Sequence, residues 1–229
     1  MIASKSQIRL VYLGFVWILG SWVVLGFFLG TNGFAQLPTA TPSQDWTHPF
    51  NLTQPSSAPH TLLAVIEIPK GSRVKYEIDK ASGYLMVDRL LPEGFAYPAH
   101  YGGLPAWWAA DGDLMDVLVI SQAPLVPLSL LNVVPVGLAK MMDGGEVDDK
   151  VLAIPISEMT MLDGDTPSLS VIGQDQLLAI ETFFKTYKLT ESGDNPIEWV
   201  GFMSVSHVLE QWCKDPIRRS NTEVGCPDL

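Results

Sequence analysis

The chain has 229 residues, 47% of them hydrophobic and 17% charged, with a formal net charge of −11. That is enough apolar material for one domain with additions, and an acidic balance that repels nucleic-acid phosphates. Its two cysteines exclude a disulfide-dense scaffold and a four-cysteine zinc site.

Residues 10–30 contain no charged side chain. As a helix at about 1.5 Å per residue the run is roughly 32 Å long, enough to cross a bilayer core. Lys5 and Arg9 precede it, and no acidic residue occurs before Asp45. That asymmetry leaves the N-terminus cytoplasmic and sends the rest outward. Two readings stand for residues 1–35. One is a cleaved signal peptide, with Gly33 and Ala35 as the small residues before Gln36. The other is an uncleaved signal anchor, which the length of the run favours. Both imply an extracytoplasmic body, in the periplasm or on the cell surface. That body holds 12 of the 14 basic residues and all 25 acidic ones.

Residues 36–60 carry five prolines among Ser, Thr and Gln, which reads as an extended spacer or a loosely wrapped arm. Asn51-Leu52-Thr53 matches a glycosylation sequon, a triplet common by chance.

From residue 61 the pattern turns to strands. Leu62–Ile68 is an apolar run ended by Pro69. Over Arg73–Ile78, Val74, Tyr76 and Ile78 alternate with Arg73, Lys75 and Glu77, the period of a half-buried strand. Tyr84–Leu91, Asp116–Ser121, Leu130–Met142 and Lys150–Pro155 are further strands, punctuated by Gly and Pro as in a small barrel. Asp175–Leu189 places Leu177, Ile180, Phe184 and Tyr187 on one helical face, and a weaker helix spans about Ser204 to Lys214. The fold class is α+β: a barrel of five or more strands with helices packed on it. The boundaries are an export segment at 1–35, a spacer at 36–60, a catalytic domain at 61–212 and a tail at 213–229.

Asp111-Gly112-Asp113-Leu114-Met115-Asp116 puts three carboxylates in six residues. All three ionise and repel one another at neutral pH, unless a hard divalent cation joins them. An isolated pattern of this kind is more often a solvated acidic turn. A calcium EF-hand fits badly, because Met115, Asp116 and Gln122 fall where the loop wants an oxygen ligand, a glycine and a glutamate. Asp143 through Lys150 is a second acidic cluster between two strands, while Asp163-Gly164-Asp165 reads as surface. Lys75, Arg89, Tyr187 and Lys188 supply a few cations and a phenol. Many carboxylates with a few placed cations suit a metal–phosphate substrate.

The stretch Asp111–Val119 resembles the signature of the soluble, family I inorganic pyrophosphatases. Six further blocks match in order and spacing: Val65–Pro69, Lys75–Lys80, Val87–Arg89, Tyr97–Gly102, Asp143–Lys150 and Phe183–Lys188. Together they cover about His48 to Trp212. The resemblance implies an OB-like barrel with flanking helices, and Mg²⁺-dependent hydrolysis of pyrophosphate with Mn²⁺ as an alternative. It implies that Asp111, Asp116 and Asp148 hold two metals around a water for which Asp113 is the general base. Asp143, with Glu67 and Glu77 less directly, would serve metals arriving with the substrate. Lys75, Arg89, Tyr101, Lys150, Tyr187 and Lys188 would grip phosphate oxygens, and Tyr97 would line the site.

The resemblance also implies a homo-oligomer, though Thr182 and Thr186 stand where some bacterial members carry subunit-contact histidines. Further departures are Leu114 for a proline, which removes a fixed φ and is expected to loosen the loop, His100 for an asparagine, and Gly144 for a polar residue. Trp107-Trp108 adds bulk before the acidic loop. Two alternatives remain: a hydrolase of other diphosphates that stacks them on Trp107 and Trp108, and a non-catalytic pyrophosphate- or polyphosphate-binding relative. Cys213 and Cys226, outside the cytoplasm, could pair and stabilise by about 3 kcal/mol.

Overall fold

The structure, a computed structural model, describes residues 46–109, 111–159, 167–188 and 197–214. In chain order its elements are β1 (Leu62–Ile68), β2 (Val74–Ile78), β3 (Leu85–Leu90), β4 (His100–Trp108), β5 (Leu114–Val119), β6 (Leu130–Asp143), β7 (Glu146–Val147), β8 (Lys150–Pro155), α1 (Ile156–Met159), α2 (Gln174–Thr186), β9 (Ile197–Ser204) and α3 (Val205–Lys214).

Five strands close on themselves in the order β1-β4-β5-β8-β6, with β6 returning to β1. Only β5–β8 is parallel. Closure leaves these five strands without a free edge and gives the barrel its two-faced core. The 14-residue β6 is the spine of the sheet: its start pairs with β1, its middle with β8 and its end with β7 and β9. Tight approach of β1 and β4 requires Gly102, because a Cβ there would lie 1.9 Å from the Val65 carbonyl oxygen. The hairpin β2–β3 forms a separate two-stranded sheet.

One core cluster gathers Ile68, Leu118, Val136 and Leu152 of the barrel with Leu177, Ile180, Phe183 and Phe184 of α2. This is the apolar face expected for that helix, Tyr187 included, with Phe183 in addition. Its continuation to Leu189 lies outside the described residues. A second cluster joins Leu62, Ile66, Val117 and Val151 to Val208 and Trp212 of α3. Trp107 meets Trp212 edge to face at 4.9 Å.

Of the two readings for residues 36–60, the described part, 46–60, follows the wrapped arm rather than the extended spacer. Phe50 is buried against Val65, Ile78 and Leu114. The Gln54 amide donates to the Leu63 and Pro105 carbonyls at 2.9 and 2.7 Å and accepts from Leu63 N at 2.7 Å. An amide that satisfies two strands at once ties this segment to the barrel. Leu114 also departs from expectation. Rather than loosening a loop, it opens β5, pairs with Trp108 and is 5% exposed.

Among the described residues no helix is long and apolar enough to cross a membrane. The 10–30 run, Asp163-Gly164-Asp165 and Cys226 lie outside them. Cys213 is disulfide-bonded.

Candidate active site

A cavity of about 1140 Å³ opens between the barrel, the β2–β3 hairpin and the ends of α2 and α3. The structure brings all fourteen residues singled out above to its wall: Glu67, Lys75, Glu77, Arg89, Tyr97, Tyr101, Asp111, Asp113, Asp116, Asp143, Asp148, Lys150, Tyr187 and Lys188.

The acidic loop is shaped by its own backbone. Gly112 adopts φ +81°, a conformation that disfavours a side chain. The Asp113 N–H donates to Asp111 Oδ1 at 2.9 Å, and Ala109 N–H donates to the Asp113 carbonyl at 2.8 Å. Asp116, two residues into β5, sits directly opposite Lys150, the first residue of β8.

Lys150 is the most enclosed cation, with a side chain 4% exposed. Its Nζ donates to Asp116 Oδ2 at 2.6 Å and Asp148 Oδ1 at 2.9 Å. Burial alone would lower its pKa, but Asp116 and Asp148 more than reverse that, so the ammonium stays charged. The Asp148 carboxyl is raised by burial and by the neighbouring charges of Asp116 and Asp143, against the pull of Lys150. Burial, with the charges of Asp116 and Asp148, lifts the Tyr101 phenol well above its usual range, so it remains a donor.

The other cations are matched in the same way. Lys188 pairs with Asp143 and Lys80 with Asp113. Lys75 pairs with Glu77 and lies 2.9 Å from Asp88, which also takes Arg89 at 3.1 Å. Tyr187 stacks on Phe183 with centroids 4.8 Å apart, and Phe183 packs on Tyr97. Glu67 accepts from Ile78 N–H at 2.9 Å. Burial pushes its carboxyl up to about 7; the Ile78 bond opposes this, and Asp116 and Glu77 add to it.

Among the described residues no three Asp, Glu, His or Cys side chains converge on one point, since ammonium groups stand between the carboxylates. The donor set nevertheless fits hard divalent cations. It is all carboxylate oxygen, with a surplus of negative charge on one wall. The buried Asp143 Oδ1 also has no hydrogen-bond partner among the described residues.

Of the tryptophan pair, Trp107 has no free face on which a substrate could stack. Trp107 is 2% exposed and locked against Trp212, and Trp108 is half-buried edge-on to Phe50 at 6.0 Å. Sequence reading also passed over Lys80, Asp88, Asp149 and Gln211, which contribute to the cavity wall. Lys80, Asp88 and Asp149 lie within the matching blocks, Asp88 and Asp149 directly beside residues singled out above. Gln211 had no local signal.

A barrel cavity that sets carboxylates against lysines, an arginine and buried phenols is suited to a phosphate anion carried with divalent cations. The family model described as inorganic pyrophosphatase matches residues 64–215. A soluble inorganic pyrophosphatase 2 of Chlamydomonas reinhardtii is 41% identical over 146 residues, 63% of this chain and 75% of that one. An inorganic pyrophosphatase of Gluconobacter oxydans is 42% identical over 142 residues, 62% and 80% of the two chains. The crystal structure of inorganic pyrophosphatase from Thermus thermophilus superposes with a TM-score of 0.70 at 31% identity, covering 76% of this chain and 99% of that one. The chain belongs to the inorganic pyrophosphatase family.

Proposed function

We propose that this protein is an inorganic diphosphatase that hydrolyses pyrophosphate to two phosphates. Family membership carries this reading, together with the fourteen side chains collected on one cavity. The proposed catalytic domain is residues 61–212, with residues 46–60 packed against it.

Asp111, Asp116 and Asp148 would hold Mg²⁺, or Mn²⁺, with Asp143, Glu67 and Glu77 serving metal that enters with the substrate. Such cations lower the pKa of a bound water and neutralise phosphate charge. Asp113, at the cavity wall, takes the proton from the attacking water. Lys75, Arg89, Lys150 and Lys188 turn from carboxylates to phosphate oxygens and stabilise the charge that builds on the leaving phosphate. Tyr101, kept as a phenol by burial, and Tyr187 donate to the remaining oxygens, and Tyr97 closes the wall. The burial of Trp107 weighs against a stacked organic diphosphate, and a base on the wall weighs against a mere binder.

The uncharged run at 10–30, preceded by Lys5 and Arg9, supports export of the catalytic domain, either cleaved or anchored. A homo-oligomer rests on the family resemblance, and light scattering checks it.

The test is phosphate release from pyrophosphate by the purified protein with Mg²⁺, with Mn²⁺ and with chelator. Metal-dependent turnover that falls at least about 100-fold in Asp113→Asn is expected. Undiminished turnover in that variant would remove Asp113 from the role of base.

A further inference from the structure

Asp149 is a carboxylate that the proposed mechanism does not use, yet it is 6% exposed and lies between Asp148 and Lys150. Burying a carboxylate is costly unless its oxygens are bonded, so its partners indicate what it is for. Oδ1 accepts from Met141 N–H at 3.1 Å, and the Met141 carbonyl accepts from Asp148 N–H at 3.0 Å. The regular β6–β8 ladder ends at Ala139 opposite Lys150. The Asp149 side chain therefore supplies a further rung, which fixes the backbone presenting Asp148 and Lys150.

Oδ2 accepts from Gln211 Nε2 of α3 at 2.7 Å. Gln211 Oε1 is buried with no hydrogen-bond partner among the described residues, so Asp149 sets the orientation of the amide. The next residue, Trp212, packs on Trp107, at the end of the strand that leads into the Asp111–Asp116 loop. Adjacent residues of one helix thus touch both arms of the cavity.

We infer that Gln211 and Asp149 are positioning residues: through their hydrogen bond α3 holds Asp148 and Lys150 in register with the Asp111–Asp116 arm. The inference rests on the roles proposed above for Asp148 and Lys150. On this reading α3 is part of the site and not only packing on the barrel.

The test is a double-mutant cycle on the full chain with Gln211→Glu, Asp149→Asn and the two combined. Gln211→Glu sets carboxylate against carboxylate. In the combined variant the new amide donates to the new carboxylate, and the bond returns with reversed polarity. Gln211→Glu is expected to weaken Mn²⁺ binding to the substrate-free protein about tenfold by calorimetry, and to lower kcat by a similar factor. The same change made in the Asp149→Asn background should alter both by less than about threefold. A merely structural role would lower thermal stability in Gln211→Glu without changing Mn²⁺ affinity, and that result overturns the inference. So does a loss of equal size in both backgrounds. Gln211→Met, which deletes the bond without adding charge, serves if Gln211→Glu does not fold. Wild-type protein that binds Mn²⁺ but releases no phosphate sinks the proposed function, while the affinity cycle still decides this inference. Wild-type protein that binds no Mn²⁺ overturns both.

Discussion

Asp116 and Lys150 face each other across the parallel β5–β8 pair, with Nζ 2.6 Å from Asp116 Oδ2. The contact follows from strand register rather than from loop conformation. Lys150 also reaches Asp148 at 2.9 Å, so one enclosed ammonium is the counter-ion of two carboxylates from separate arms. The barrel thereby assembles oppositely charged groups that would otherwise be scattered along 35 residues of chain.

Lys150→Met should expose the cost of that arrangement. It leaves Asp116 and Asp148 without their shared cation in a partly dry site. Breaking a buried pair from one side costs about 3 kcal/mol or more. Urea unfolding without metal should show a loss of that order, and millimolar Mg²⁺ should recover part of it by binding the folded state. An unchanged midpoint would mean that Lys150 is not the counter-ion. Pyrophosphate turnover should fall in either condition.

His100 should give the protein a pH-dependent stability term. The ring is 2% exposed, with Nδ1 accepting from Lys70 N–H and Nε2 donating to the Ala123 carbonyl, both at 3.1 Å. Burial lowers its pKa; the Ala123 bond works against this, the Lys70 charge adds to it, and the Glu158 charge opposes it. A base with a depressed folded pKa is protonated first in the unfolded chain. Its contribution is therefore complete above the unfolded value near 6.5 and is lost as pH falls below it. Between pH 7.5 and 5.5 the wild type should lose more stability than His100→Asn in denaturant titrations. Parallel losses in the two proteins would contradict the neutral, doubly bonded ring.

Much of the scaffold was legible because it follows simple periods. β2 carries alternation, α2 helical spacing, and β1, β3, β6 and β8 are largely apolar runs set between Gly and Pro; all fall close to their expected limits. β4 and β9 were missed. In β4, Gly102, Gly103 and Pro105 look like chain breakers, yet Gly102 is required by the Val65 carbonyl, and an irregularity between Leu104 and Trp108 absorbs the proline. β9 carries an extra residue, Val200, between Gly201 and Trp199, which pair with the consecutive Lys140 and Met141 of β6, and this bulge interrupts its alternation. The site's residue types were legible from the matching blocks. Their pairing was not, because Lys80–Asp113, Lys188–Asp143 and Gln211–Asp149 join segments 33 to 62 residues apart.

Gly102→Ala should be among the most damaging single changes outside the site. A methyl group placed 1.9 Å from the Val65 oxygen forces β1 and β4 apart, and both strands belong to the closed barrel. Overpacking against rigid backbone should cost about 3 kcal/mol or prevent folding. Comparable thermal midpoints for Gly102→Ala and wild type would refute the close approach.

Leu114→Pro tests whether a family-typical residue suits this barrel. On sequence grounds proline should stiffen the loop and stabilise. In the structure Leu114 is 5% exposed and packs in a cluster with Phe50, Val65 and Ile78. Its Cδ1 also fills the space beside Gly103, where a Cβ would come within 2.9 Å. Proline would withdraw most of that side chain and remove an N–H at the first rung of β5. Loss of a packed leucine costs about 2 kcal/mol or more, well above the fraction of a kcal/mol that proline gains by restricting the unfolded chain. Leu114→Pro should therefore lower the urea midpoint. Because Phe50 belongs to the same cluster, the variant should also speed proteolysis near residues 46–60. A raised midpoint would show that loop rigidity outweighs packing at this position.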